Sequence, residues 1–351
     1  MVRGVRSVVP ILLSCALLNG CKSSQQTGAP AADPGILTIN GAGASFPNPI
    51  YSKWFAEYGR LHPNVRINYQ PIGSGGGIRQ VSLGIVDFGA SDDPMTDAQL
   101  QQSSHPLLHI PTVLGAVVPV YNLPGISAEI RFSPEALAGI YLGTITFWDD
   151  QKIVADNPGV KFPHEEILPV YRSDGSGTTF IFTDYLTKVS PVWAKQVGNS
   201  TSVKWPVGIG QKGNEGVAGM VREAPYAFGY VELVYALQNH MTFGLVRNGA
   251  GQWIKASPAA VTAAAEAQAD TIPADFRVSL ANAGGTASYP ICSFTWLLVP
   301  QQSADATKGR QLHDFLLWML SEGEQEAAAM GYAPLPRPVA ERLKNTVASI
   351  R

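Results

Sequence analysis

Four separated segments of this 351-residue chain place glycine next to serine or threonine, between a strand-like run and a helix-like run. They are GAGASFPNP (41–49), GSGGGIRQ (73–80), FGASDDP (88–94) and YRSDGSGTTF (171–180). Glycine lets the backbone approach a ligand closely, and a helix N-terminus offers free N–H groups and a dipole that favour an anion. Neighbouring hydroxyls add further donors. Four such loops, converging from two domains, predict a cradle for one tetrahedral oxyanion.

The regions around these loops alternate between strand-like and helix-like patterns. Residues 48–61 form an apolar helical face from Ile50, Trp54, Phe55, Tyr58 and Leu61. Strands are predicted at 65–70, 86–91, 167–172, 227–233 and 291–299, and helices at 133–143, 258–268, 305–330 and 337–349. This alternation predicts α/β layers with largely parallel sheets. The length and the hydrophobic fraction of 45% fit about two domains with cores of their own.

The first twenty residues have the pattern of an export signal. Arg3 and Arg6 precede an apolar run at 8–18, which is shorter than the roughly 20 residues that span a bilayer. The run ends in L-N-G-C, which resembles a lipobox with Cys21 as the acylated residue. We predict a signal peptide at 1–20, a small, polar tether at 21–36 and a periplasmic protein anchored by lipid at Cys21. Ordinary export without a lipid is the alternative, because asparagine is uncommon before that glycine.

Charge and cysteine content narrow the possible partners. The formal net charge is −2 and the chain has no basic stripe, so a nucleic-acid partner is not expected. Cys15 lies in the predicted signal and Cys21 at the predicted lipid site, which leaves Cys292 in the apolar run ICSFTWLLVP. A single remaining cysteine forms no disulfide within the chain, and we expect it to be a buried, inert thiol.

The glycine-rich loops do not match the motifs of common nucleotide or hydrolase sites. GAGASF lacks the third glycine of G-x-G-x-x-G, GSGGGIRQ lacks a G-K-[ST] ending, and DGSGTT is not G-x-S-x-G. His105 and His109 have a helix-type zinc spacing, but Pro106 argues against a helix there. We therefore predict no metal, no cofactor and no catalytic residue.

Seven motifs together resemble those of the phosphate-binding receptor (substrate-binding protein) of the bacterial ABC phosphate transporter. They are GAGASFP (41–47), YQPIGSGGGIRQ (69–80), VDFGASD (86–92), FWDD (147–150), RSDGSGTTFIFTDYL (172–186), VKWPVGIGQKGNEGVAG (203–219) and FGYVE (228–232). The resemblance implies a type II periplasmic-binding-protein fold, in which two crossover strands join two α/β lobes and the ligand lies in the cleft. It implies lobe 1 at 37–112 plus 289–351 and lobe 2 at 113–288.

The same resemblance implies which residues bind phosphate. The implied ligands are Ser45, the Phe46 N–H, Ser74, Asp92, Arg172, Ser176, the Gly177 N–H and Thr178. Asp174 matches the residue that holds Arg172 in place by an ion pair. Three positions depart from the family pattern: Ser45 stands where threonine is usual, Gly75 where serine is common, and Asp93 where an uncharged residue is common. The hydroxyl is kept at the first position, and at the second the matching ligand is the neighbouring Ser74.

Asp92 predicts selectivity for phosphate over sulfate. An ionised carboxylate only accepts hydrogen bonds, so it repels an anion unless the anion brings a proton. Phosphate at neutral pH carries at least one O–H and sulfate carries none. Mispairing of this kind discriminates by factors of about 10⁴ or more. Arg172 supplies a balancing charge with a planar donor fork suited to an oxyanion.

The resulting hypothesis is a receptor that is not an enzyme. It captures inorganic phosphate with high affinity outside the cytoplasmic membrane and delivers it to the permease and ATPase subunits of an ABC transporter. The alternatives are a phosphatase-like enzyme that uses the same cradle, a receptor for another tetrahedral oxyanion, and a signalling partner without transport. An enzyme needs a nucleophile with a base, or a metal pair, and the loops show neither pattern.

Overall fold

A computed structural model describes residues 35–351 of the chain. The predicted signal peptide, Cys21 and nearly all of the predicted tether lie outside these residues. The strands are β1 Leu37–Gly43, β2 Val65–Gln70, β3 Phe88–Ser91, β4 Leu107–Tyr121, β5 Arg131–Phe132, β6 Leu168–Arg172, β7 Ile209–Gln211, β8 Ala227–Glu232, β9 Leu245–Arg247, β10 Trp253–Ile254 and β11 Cys292–Pro300. The helices are α1 Asn48–Leu61, α2 Ser74–Ser82, α3 Asp97–Gln102, α4 Pro134–Leu142, α5 Gln151–Asp156, α6 Gly177–Val189, α7 Pro191–Gln196, α8 Gly213–Glu223, α9 Leu233–Gln238, α10 Pro258–Glu266, α11 Ala306–Met319, α12 Ala327–Met330 and α13 Arg337–Val347.

One long strand connects two α/β lobes. Eight strands follow the order β2-β1-β3-β11-β4-β8-β6-β7. The first part of β4, up to Ala116, pairs with β11, and the part from Val117 onward pairs with β8. We call the side with β1, β2, β3 and β11 the first lobe, and the side with β6, β7 and β8 the second. This two-lobed architecture is the predicted type II periplasmic-binding-protein fold, with β4 as one of its crossover strands.

Strand direction differs between the outer and central parts of the sheet. The pairs β1–β2, β1–β3, β6–β7 and β6–β8 are parallel, as the alternation of strands and helices predicts. The central pairs β3–β11, β11–β4 and β4–β8 are antiparallel. Parallel outer strands place their carboxyl ends at one edge within each lobe, which is where ligands bind in open α/β sheets.

Local sequence signals explain where several helices begin. Ser133 accepts a hydrogen bond from the Ala136 N–H at 3.3 Å and caps α4, with Pro134 in its first turn. The predicted helix over 305–330 is interrupted after Met319. There the Trp54 indole N–H donates to the Gly323 carbonyl at 2.8 Å, and this tertiary contact fixes a short 3₁₀ turn between α11 and α12. The local pattern could not show this break.

The predicted core face of α1 is largely correct. Ile50, Trp54, Phe55 and Tyr58 are buried, and they pack with neighbouring aromatic rings of the first lobe. Leu61 is 43% exposed, because it lies at the last residue of α1. The second lobe has its own aromatic core around Tyr141, Phe182, Phe228 and Tyr230.

Cys292 is fully buried, as the sequence predicts, and burial raises the pKa of its thiol to about 12. A thiol with that pKa is protonated at neutral pH and unreactive. Among residues 35–351, each helix is too short or too polar to span a bilayer.

Candidate functional site

The four glycine-rich loops meet at the carboxyl ends of β1, β2, β3 and β6. Ser45 follows β1, Ser74 is the first residue of α2, and Asp92 follows β3. Arg172 ends β6 and is followed by the N-terminus of α6. All eight residues predicted as ligands are buried: Ser45, Phe46, Ser74, Asp92, Arg172, Ser176, Gly177 and Thr178. The loops thus bring hydroxyls, a helix N-terminus, one guanidinium and one carboxylate together.

A two-point ion pair holds the guanidinium of Arg172. Its Nε lies 2.8 Å from Asp174 Oδ1, and its Nη2 lies 2.6 Å from Asp174 Oδ2. The side chain of Arg172 is only 1% exposed. Burial opposes ionisation of Asp174, but the hydrogen bonds and charge of Arg172 outweigh it and lower the pKa of Asp174. The paired carboxylate fixes the plane of the guanidinium through Nε and Nη2. The remaining nitrogen, Nη1, is not bonded to Asp174 and donates to Thr178 Oγ1 at 3.3 Å.

Asp92 has one bonded and one unbonded carboxylate oxygen. Oδ1 accepts a hydrogen bond from Thr295 Oγ1 at 2.7 Å. Oδ2 is buried and has no hydrogen-bond partner within the part of the chain that the structure describes. Burial raises the pKa of Asp92 to about 7, against the opposing effects of the Thr295 hydrogen bond and the charge of Arg172. A buried acceptor of this kind is suited to a ligand that brings a hydrogen.

The two lobes touch at these loops without room for side chains between them. The Gly75 N–H of the first lobe donates to the Gly175 carbonyl of the second at 3.0 Å. Gly73 has φ of 90°, and a methyl group there would lie 2.6 Å from Asp174 Oδ2. A methyl group at Gly177 would lie 2.5 Å from Asp92 Oδ2. Glycine at these positions lets the two lobes approach to backbone contact.

Four hydroxyls of the site accept hydrogen bonds from protein donors. Ser74 Oγ accepts from the Asp92 N–H at 3.2 Å, and Ser176 Oγ accepts from the Thr179 N–H at 3.0 Å as the cap of α6. Ser45 Oγ and Thr178 Oγ1 each accept from the amide of Asn214, at 3.0 and 3.1 Å. A hydroxyl that accepts from the protein keeps its own hydrogen for another acceptor.

Sequence reasoning missed three residues that support the site: Asn214, Thr295 and Glu232. Asn214 lies in the motif QKGNEG, whose position at the start of α8 was the available signal. Thr295 lies inside an apolar strand, where nothing marks it. Glu232 is fully buried at the end of β8, where its N–H donates to Asn214 Oδ1 at 3.0 Å, and burial raises the pKa of its carboxyl well above the usual range.

Residues 35–351 contain no group of three or more histidine, cysteine, aspartate or glutamate side chains that could hold a metal ion. His109 lies in β4 rather than on a helix, and its Nε2 accepts a hydrogen bond from the Met95 N–H at 3.0 Å. Burial lowers the pKa of His109 to about 4, so it is a neutral structural residue at neutral pH.

The two-lobed fold and the buried cradle define a substrate-binding protein of the periplasmic-binding-protein class. A family model described as "PBP superfamily domain" matches residues 28–323. The solved structure of a high-affinity periplasmic phosphate-binding protein, PfluDING, bound with phosphate, superposes with a TM-score of 0.71 and 24% identity, over 88% of this chain and 93% of that one. A phosphate-binding protein from Stenotrophomonas maltophilia gives a TM-score of 0.67 and 21% identity, with the same coverage. These two likenesses show the fold.

Sequence relatives define the family more narrowly. The chain is 41% identical to the phosphate-binding protein PstS of Xylella fastidiosa, over 95% of this chain and 94% of the relative. It is 44% identical to PstS of Haemophilus influenzae, over 88% and 92%. PstS of Methanocaldococcus jannaschii is 36% identical, over 100% of this chain and 95% of the relative. The chain belongs to the PstS family of phosphate-binding proteins.

Gly177→Ala is expected to force the two lobes apart at the site, because the added methyl group would overlap Asp92. The backbone at Gly177 lies outside the left-handed region, so alanine itself is tolerated. Hydrogen exchange should become faster in the loops at 73–75 and 174–178, and the overlap should cost about 1–3 kcal/mol of stability in the closed form. Gly219→Ala in α8 is the matched control, because a methyl group there contacts nothing within 4 Å. Equal exchange in both variants would contradict the close packing.

Asp92→Asn is expected to stabilise the ligand-free protein at pH 8 but not at pH 4. The folded protein holds the Asp92 proton up to about pH 7, whereas an ordinary aspartate releases it near 3.8. The folded state therefore binds more protons in that window, and the stability of the parent falls as pH rises through it. The free energy of unfolding of the variant, relative to that of the parent, should rise by roughly 2–4 kcal/mol from pH 4 to pH 8. Urea unfolding in phosphate-free buffer measures it, and a pH-independent difference would contradict the assignment.

Proposed function

We propose that this protein captures inorganic phosphate in the cradle between its lobes and delivers it to the membrane subunits of an ABC transporter. The proposed ligands are those of the sequence analysis: Ser45, Phe46, Ser74, Asp92, Arg172, Ser176, Gly177 and Thr178. Asp174 acts on the ligand indirectly, by orienting Arg172. The buried, unbonded Oδ2 of Asp92 carries this proposal, since it suits a ligand that donates a hydrogen, whereas Arg172 and the hydroxyls around it suit an anion.

Asp92 favours the binding of phosphate over that of other tetrahedral oxyanions. Monohydrogen and dihydrogen phosphate each offer an O–H to Asp92 Oδ2. Sulfate offers none, so binding it would bury two unpaired acceptors of like charge against each other. The alternative of a sulfate receptor is therefore disfavoured at pH 8, where Asp92 is ionised.

The remaining contacts support capture by lobe closure. Ser45 and Ser74 belong to the first lobe, whereas Arg172 and the N-terminus of α6 belong to the second. A ligand bound by both sides favours the closed arrangement, which is a hinge motion coupled to binding. Partner exchange of β4 between Ala116 and Val117 supports lobe boundaries near the predicted 37–112 plus 289–351 and 113–288.

Export and membrane attachment complete the proposal. Delivery to a permease and its ATPase requires a location outside the cytoplasmic membrane, and the predicted signal peptide at 1–20 supports it. A lipid on Cys21 would hold the protein at a membrane through the tether at 21–36. We propose binding without turnover, because the described cradle pairs no nucleophile with a general base.

Calorimetric titration at pH 8 is expected to show tight binding of phosphate and at least about 10⁴-fold weaker binding of sulfate. A phosphate monoester incubated with the protein should release no phosphate. Asp92→Asn should narrow the discrimination mainly by strengthening sulfate binding, because the asparagine amide donates where the carboxylate accepts. Sulfate binding to the parent should also strengthen below about pH 7, where Asp92 gains a proton and becomes a donor.

Asp87→Asn is the control for the Asp92 variant. Asp87 lies just before the first residue of β3, whereas Asp92 follows the last. Asp87 accepts a hydrogen bond from the Asn40 N–H at 2.8 Å and forms an ion pair with Lys308 at 3.0 Å. Its removal should leave the ratio of phosphate to sulfate affinity unchanged. Comparable binding of the two anions by the parent at pH 8 would overturn the role of Asp92, and release of phosphate from the ester would favour the enzyme.

A further inference from the structure

Asn214 contacts both lobes of the cradle from the start of α8. The residue is fully buried. Its Nδ2 lies 3.0 Å from Ser45 Oγ in the first lobe and 3.1 Å from Thr178 Oγ1 in the second. Its backbone N–H also points to Ser45 Oγ, at 3.4 Å. One amide group thus lies between two of the residues proposed to bind the anion.

The orientation of this amide is fixed by the backbone of β8. Asn214 Oδ1 accepts a hydrogen bond from the Glu232 N–H at 3.0 Å. A backbone N–H only donates, so the oxygen of the amide must face Glu232. The NH₂ group must then face Ser45 and Thr178, and its two hydrogens serve one hydroxyl each.

The two hydroxyls are therefore held as donors. Thr178 Oγ1 accepts from Asn214 and also from Arg172 Nη1 at 3.3 Å, which occupies both of its lone pairs. Ser45 Oγ accepts from the side chain and the backbone of Asn214. Each hydroxyl has one hydrogen left and no lone pair to spare, so it can only donate away from the protein. An anion needs hydroxyls in that state.

We propose that Asn214 is a positioning residue that directs the hydroxyl hydrogens of Ser45 and Thr178 at the bound anion when the lobes close. The inference rests on the proposed function, because it assumes that these hydroxyls meet phosphate. Asn214 touches both lobes, so it couples closure of the cleft to the orientation of the two donors. An acceptor at this position would turn both hydrogens away from the ligand.

The test is a mutant cycle read by calorimetric titration with inorganic phosphate. Asn214→Ala should weaken binding by about 10- to 100-fold, because two hydrogen bonds to a charged ligand lose their orientation. In a Ser45→Ala, Thr178→Val background the same change should cost less than about threefold, because the hydroxyls it acts on are gone. Equal losses in the two backgrounds would overturn the proposal and leave phosphate binding itself intact.

Asn214→Asp provides a second variant of nearly the same shape. Its ionised carboxylate only accepts, so both hydroxyls should turn toward it and phosphate binding should fall further than in Asn214→Ala. The additional loss of phosphate affinity, measured relative to the parent at each pH, should shrink as pH falls, because the new carboxyl gains a proton. A pH-independent loss would contradict the reorientation.

Asn157→Ala is the matched control for a purely structural effect. Asn157 is also buried, and its amide bonds to the backbone of Arg131 and Ile153 in the second lobe. It should lower stability without changing the affinity for phosphate. If Asn157→Ala weakened binding as much as Asn214→Ala, the effect would be one of stability and the proposal would be wrong. A parent protein that fails to bind phosphate would instead overturn the proposed function, and the role of Asn214 with it.

Discussion

A carboxylate buried beside an anion site is the constraint on which the rest of this cradle depends. Asp92 receives one protein hydrogen bond on its side chain, from Thr295, and burial makes its ionised form costly. The antiparallel pairing of β11 with β3 brings Thr295 to the end of the strand that precedes Asp92. A register shift between Thr295 and Trp296 on β11, opposite β4, lies at the same point, and such irregularities re-aim side chains. The central antiparallel strand β11 thus supplies the hydrogen-bond partner of Asp92.

The glycines of the loops follow from the same constraint. Asp92 is shielded from water only if the second lobe approaches it closely, and Gly177 is where that approach occurs. Gly73 and Gly75 meet the loop of Asp174 and Gly175 in the same way. These glycines are therefore explained by contact between lobes as much as by contact with a ligand. The glycine and serine pattern of the sequence indicates only the contact with a ligand.

Much of the fold and of the site was predictable because its signals are local. The four loops lie in short motifs, and the packing face of α1 repeats at helical spacing. The features that were missed depend on residues far apart in the chain. The break after Met319 depends on Trp54, and the partner of Asp92 lies 203 residues away at Thr295. Asn214 stands in a short sequence motif, but its partners Ser45 and Thr178 lie 169 and 36 residues away in the chain.

The charges of the site favour recognition by neutral dipoles over attraction between net charges. Arg172 is already paired with Asp174, so the pair together carries no net charge. With Asp92 ionised the cradle is negative before any anion enters, and the whole chain has a formal charge of −2. Long-range steering therefore contributes little. The attraction must come from oriented N–H and O–H groups in a water-excluded site, where each hydrogen bond is stronger than in water. This is why Asn214, which carries no charge and donates to two hydroxyls of the site, matters for the binding of an ion.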